Sequence, residues 1–152
     1  MTMTKFPSVE SLLPHSHPMI LVDELTAADK DHVEARLRIR ENSPLVTNGT
    51  TPALTAIEYM AQSIGLLTGY ESFSRREPVQ VGYLLGTRDL KLSVSHFSVG
   101  DELTILVNRL FGEDELGAFK CQVIREGKTA AEAVLNVYRN KDHVLPGRQK
   151  PV

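Results

Sequence analysis

From residue 52 to residue 70 the chain repeats apolar residues at three- and four-residue steps: Ala53, Ile57, Met60, Ala61, Ile64 and Leu67. That period belongs to one long helix with a buried face. Thr51 is a favoured N-cap residue, and Pro52 suits the first helical position, where a missing N–H costs nothing. A single carboxylate, Glu58, stands beside the apolar stripe and shares a face with Gln62, four residues on, and with Leu54, four residues before. Glu is rarely buried without a partner, so taken alone Glu58 reads as the solvated flank of a packed helix.

A helix of this kind needs a surface to cover it, and the rest of the chain reads mostly as strand. Val33, Ala35, Leu37 and Ile39 alternate with Glu34, Arg36, Arg38 and Arg40, the pattern of a half-buried strand. The apolar run at 19–22 is expected to pair with it through a turn at 29–32. After an irregular loop at 41–50 and the helix come strands at 79–85 and 90–94, then at 103–110. A last hairpin, 118–125 and 129–138, turns at Glu126-Gly127-Lys128. The polar tail from about residue 140 is expected to be loose. A short helical turn at 9–13 precedes all of this. The order predicts an α+β fold: one antiparallel sheet wrapped on one central helix, in a single domain over residues 1–152. Such a sheet leaves an edge strand without a partner, which predicts a homodimer.

Composition narrows the partners. The chain has a net charge of −2 and 24% charged residues, giving no bias towards nucleic acid or membrane. The single cysteine, Cys121, allows no internal disulfide and suits a reducing compartment. With no apolar leader behind a basic start and no apolar run of spanning length, the expected location is cytoplasmic.

Three blocks add a resemblance. The run Leu12-Leu13-Pro14-His15-Ser16-His17-Pro18-Met19-Ile20-Leu21-Val22-Asp23 resembles the opening "LLPHRxPFLLVD" of the hot-dog-fold 3-hydroxyacyl-acyl-carrier-protein dehydratases. Glu58-Tyr59-Met60-Ala61-Gln62 is similar to that family's "E-A-x-A-Q". Gly82-Tyr83-Leu84-Leu85-Gly86 and Phe97-Ser98-Val99-Gly100-Asp101-Glu102-Leu103 resemble its later "F-x-x-G" and "P-G-D-x-L" stretches. The blocks keep the family order over residues 12–138 and look most like a divergent branch tied to aryl-polyene and related lipid pathways. The resemblance implies a hot-dog fold, a substrate carried by an acyl carrier protein, a homodimer or an oligomer of dimers, and no cofactor; a metal is not expected because the sequence places no third ligand beside His15 and His17.

It also implies a site, with one departure. The carboxylate of the family's catalytic pair falls on Glu58. The family's His, in "G-H-F-P", lies fourteen residues before that Glu, and the same count here reaches Pro44; no His stands between His32 and His96. Removing water from a 3-hydroxyacyl thioester needs a base for the α-proton and an acid for the departing hydroxyl, and His is the side chain that titrates near neutral pH. His15 and His17 are the candidate imidazoles, His15 being the one within the family's opening motif. His32, His96 and His143 read as solvated. Pro52, Ala53, Leu54 and Gln62 are the candidate substrate-binding residues, with backbone N–H groups at the start of the helix facing the developing enolate oxygen. Arg75, Arg76, Arg88 and Lys91 are candidate docking residues for an acidic carrier or a CoA phosphate. Two other readings stay open: a thioesterase in which Glu58 activates water without a His, and a non-catalytic acyl-binding subunit.

Overall fold

The computed structural model describes residues 6–113 and 115–144. Its elements are α1 (Val9–Leu12), β1 (Glu24–Ala28), β2 (His32–Arg38), β3 (Thr50–Pro52), α2 (Ala56–Ser74), β4 (Gln80–Leu92), β5 (His96–Ser98), β6 (Glu102–Glu113), β7 (Leu116–Arg125) and β8 (Lys128–Val144). Six of the strands form one antiparallel sheet in the order β1-β2-β6-β7-β8-β4, while β3 and β5 pair separately. The period-two alternation places every second side chain on one face. Val33, Ala35 and Leu37 of β2 stand opposite Val107, Ile105 and Leu103 of β6. Cys121 and Val123 of β7 and Ala133 and Ala131 of β8 continue the same rows. All of these are buried, and α2 lies across them as the core of a hot-dog fold.

The central helix is covered on more than one face. Tyr59, Met60, Ser63, Ile64, Leu66 and Leu67 are all buried, some by the sheet and some by α1 and the chain that follows it. The small residue Gly69 lets α1 come close: a Cβ there would lie 2.2 Å from the Leu12 carbonyl oxygen. Backbone cannot rotate out of such a contact, so Gly69→Ala is expected to lower stability by about 1–3 kcal/mol. Gly86→Ala, where a Cβ meets nothing within 4 Å, is the matched control and should unfold at nearly the wild-type urea midpoint.

The helix starts later than its sequence pattern predicts. Thr51 and Pro52 belong to β3, paired with Phe97 and His96, and the Ala53 N–H donates to the Ser95 carbonyl. A 3-10 turn over Ala53–Thr55 follows before α2 begins at Ala56. Thr51 therefore caps nothing; its hydroxyl meets that of Thr55 at 2.8 Å. Pairing with β5, a strand the sequence does not announce, takes the residues that propensity alone would give to the helix. The loop before β3 is also more regular than its composition suggests. Asn48 and Gly49 have φ of 53° and 80° between the mutually bonded Thr47 and Thr50, which is a two-residue primed turn.

Two further expectations are corrected. The apolar run at 19–22 is not the first strand; Ile20, Leu21 and Val22 are buried, but the Leu21 and Val22 N–H groups donate to the Gln62 side chain rather than to a ladder. The strand of the first hairpin is β1, and the turn at 29–32 joins it to β2 as expected. At the other end β8 continues past Asn140, with Val144 opposite Gln80. The long strand β4 supplies the partner that keeps this segment in the sheet. The part of the tail beyond residue 144 lies outside the described residues.

Candidate functional site

Along α2 the residues left partly uncovered include Glu58, Ala61, Gly65 and Thr68, spaced three, four and three apart on one face. They form one wall of a cavity of about 220 Å³. The opposite wall comes from the sheet: Gly82 and Leu84 of β4, Val137 and Tyr138 of β8, Leu116, Gly117 and Phe119 of β7, and Arg109 and Gly112 of β6. Pro14 and His15 close the cavity at the Glu58 end.

His15 reaches that position because the chain before it is anchored. Leu12 and Leu13 are fully buried where α1 ends, and Pro14 carries the backbone over the cavity mouth. His15 Nε2 lies 3.9 Å from Glu58 Oε1, with the two side chains 35% and 38% exposed. The separation is too long for a direct hydrogen bond, so the pair can face two sides of one small group, or one water, placed between them. His17 goes elsewhere. The chain turns after Ser16, where the Met19 N–H donates to the Ser16 carbonyl, so His15 and His17 do not share a face as they would on an extended segment. His17 Nε2 meets Glu10 Oε2 at 3.0 Å on the surface.

Gln62 holds the two halves of the site together. It is fully buried, and its Nε2 donates to Glu58 Oε1 at 3.0 Å and to the Met19 carbonyl at 2.8 Å. Its Oε1 accepts from the Leu21 N–H at 2.9 Å and, more weakly, from the Val22 N–H at 3.4 Å. All four hydrogen-bonding positions of the amide are thus used. Gln62 does not line the cavity; it orients Glu58 and pins the segment that follows His15 and His17. Gln62→Met keeps the volume but strands two buried N–H groups and a carbonyl. Stability measured in urea should fall by about 1–3 kcal/mol, and Glu58 loses its orienting donor.

Three other candidate residues also lie outside this cavity. Pro52 is exposed on β3, Ala53 is buried with its N–H committed to Ser95, and Leu54 is 57% exposed. Arg75 reaches Glu71 at 4.0 Å and Lys91 reaches Glu132 at 3.8 Å. Neither of them, nor Arg76 or Arg88, is among the cavity's lining residues. Pro44 stands exposed in a turn away from the cavity. Sequence reasoning passed over Thr68 and Arg109. Extending the three- and four-residue count from Glu58 would have reached Thr68; Arg109 comes from a distant strand and carries no local signal.

Two buried acids lie outside the cavity. Burial pushes the Tyr59 phenol up to about 12, and the Cys121 thiol likewise to about 12. Both stay protonated through the physiological range, and neither lines the cavity.

A profile of the ApeP-like family, described as ApeP dehydratase, matches residues 7–145. The chain is 30% identical over 129 residues to the 3-hydroxyacyl-acyl-carrier-protein dehydratase FabZ of Ralstonia nicotianae, covering 80% of this chain and 77% of that one. Among solved structures it is similar to the dehydratase heterocomplex ApeI:P from Xenorhabdus doucetiae. The TM-score is 0.87 at 30% identity, over 91% of this chain and 95% of that chain. A hypothetical thioesterase from Streptococcus pneumoniae solved with coenzyme A has a TM-score of 0.58 at 14% identity, over 84% of this chain and 88% of its own. That second likeness is one of fold alone.

Proposed function

The chain belongs to the ApeP-like family of dehydratases, and from that premise we propose that it removes water from 3-hydroxyacyl groups carried on an acyl carrier protein, with His15 as base and Glu58 as acid. The observation that carries the reading is the His15–Glu58 pair, 3.9 Å apart at the mouth of a cavity walled largely by apolar and small residues. The acyl chain enters the cavity with its α-carbon beside His15 and its β-hydroxyl beside Glu58. His15 Nε2 takes the α-proton, the electron pair of that C–H bond becomes the new double bond, and the β-carbon–oxygen bond breaks. The protonated Glu58 carboxyl donates to the departing oxygen, which leaves as water. The step ends with a protonated imidazole and a carboxylate side by side. A proton returning from one to the other, directly or through one water, resets both.

The imidazole therefore comes from the opening segment rather than from position 44, where Pro44 stands. Gln62 serves both partners, because its amide orients the carboxylate and fastens the chain that follows the imidazole. The reading is tested by incubating the protein with 3-hydroxyacyl thioesters of an acyl carrier protein and following mass. Loss of water with the thioester intact supports it; release of a free acid favours hydrolysis, and an unchanged thioester favours a binding subunit.

The same proposal includes a homodimer working in the cytoplasm. Strand β4 is thirteen residues long, lies at the sheet edge, and exposes Tyr83, Leu84 and Leu85. A long apolar edge of this kind is a pairing surface, and a second copy satisfies it by continuing the sheet. Light scattering at micromolar concentration should give twice the chain mass, and a monomer would contradict the dimer.

A further inference from the structure

Helix α2 carries Gly65 and Gly69 one turn apart in its interior, on the face that also bears Glu58. Glycine weakens a helix interior relative to alanine, so two of them together need a reason from packing. That reason is the end of α1. A Cβ at Gly69 would lie 2.2 Å from the Leu12 carbonyl oxygen, and a Cβ at Gly65 would lie 2.9 Å from Leu13 Cδ2. Leu12 and Leu13 are fully buried in the notch that the two missing methyl groups open.

From that notch the chain runs back along the helix: Leu12 at Gly69, Leu13 at Gly65, and His15 Nε2 3.9 Å from the Glu58 carboxylate. Gly65 and Glu58 are seven residues apart, about 10 Å of helix. Two extended residues cover about 7 Å, and the imidazole side chain spans the rest. Few soft torsions lie on the way. The Leu13 N–H donates to the Val9 carbonyl at 3.0 Å, and the Leu13 ψ of 147° is the extended value that a following proline favours. Pro14 has its own φ fixed by its ring. A shift of Leu13 is therefore passed on to the imidazole rather than absorbed.

We propose that Gly65 is a positioning residue for the reaction, seating Leu13 so that His15 stands at its working distance from Glu58. The inference rests on the dehydratase reading above and gives Gly65 no contact with the reacting atoms. Gly65→Ala presses a methyl group onto Leu13, which yields by leaving its rotamer or by carrying its backbone away from α2. Misplacing a catalytic group by about 1 Å costs up to about 10²-fold in rate.

The test measures kcat and KM on the shortest 3-hydroxyacyl thioester of an acyl carrier protein that the wild type dehydrates. Gly65→Ala should fold, by its urea midpoint, and lose about 10–100-fold in kcat with KM within about threefold. Leu13→Val removes one carbon from the other side of the contact and, alone, slackens the seat. The double variant restores the carbon count of the contact and should return kcat to within about threefold of wild type. Gly65 also lines the cavity, and the double variant keeps the added methyl group there, so the recovery cannot come from unblocking the cavity. Should Gly65→Ala not fold alone, Leu13→Val should lose about three- to tenfold in kcat and regain it on adding Gly65→Ala. Three results would overturn the positioning role while leaving the dehydratase reading intact: a folded Gly65→Ala with unchanged kcat, a loss confined to KM, or a double variant no better than the folded single. A wild type that dehydrates no 3-hydroxyacyl thioester would overturn both.

Discussion

Glu58→Gln is expected to lower kcat for dehydration by about 10²–10⁴-fold, the range of a lost general acid or base, while the protein folds normally. The amide fills the same volume, and Glu58 is partly exposed rather than sealed in the core. Its hydrogen bond from Gln62 survives if the new amide turns its oxygen towards the Gln62 N–H. What the variant lacks is a proton to give to the departing hydroxyl. Circular dichroism and a urea midpoint near wild type, together with the rate loss, would assign the effect to chemistry. Near-normal turnover on a substrate the wild type dehydrates would return Glu58 to the role of a solvated helix flank.

The second large effect separates two neighbouring imidazoles. His15→Gln should lose about 10²–10⁴-fold in kcat, because it removes the base that takes the α-proton. His17→Gln should stay within a few-fold of wild type. His17 is turned to the surface and paired with Glu10, and a surface pair of this sort is worth about 0–1 kcal/mol. Steady-state rates of the two purified variants on one substrate make the comparison. Equal losses would mean that the segment 14–19 matters for shape rather than for the His15 ring.

The fold was legible because its two periods are clean. The three- and four-residue spacing of Ile57, Met60, Ile64 and Leu67 can form nothing but a helix, and Val33, Ala35 and Leu37 can line only one face of a strand. Boundaries were lost where a tertiary partner outbid local preference. Thr51 and Pro52 look like a helix start but are held by β5, three residues whose short run gives no pattern. The run at 19–22 looks like a strand because it is apolar, yet what satisfies its backbone is the side chain of Gln62, forty residues away. Of the candidate site, Glu58 and His15 were both legible only through the family motifs around them, since beside an apolar stripe alone Glu58 reads as a solvated flank. Alternation on an extended segment would put His15 and His17 on one face; the turn at Ser16 separates them, and nothing in the residue types foretells it. Arg109 was invisible, since only the sheet brings residue 109 to the foot of α2.

The most direct test of the central claim is the dehydration run backwards in heavy-oxygen water. A trans-2-enoyl thioester of an acyl carrier protein is incubated with the enzyme, and the product is fragmented to locate the label. The account predicts one heavy oxygen at the β-carbon of an intact 3-hydroxyacyl thioester, with labelling slowed by about 10²–10⁴-fold in both Glu58→Gln and His15→Gln. Heavy oxygen in a released carboxylate, or an enoyl thioester that stays unlabelled, would contradict it.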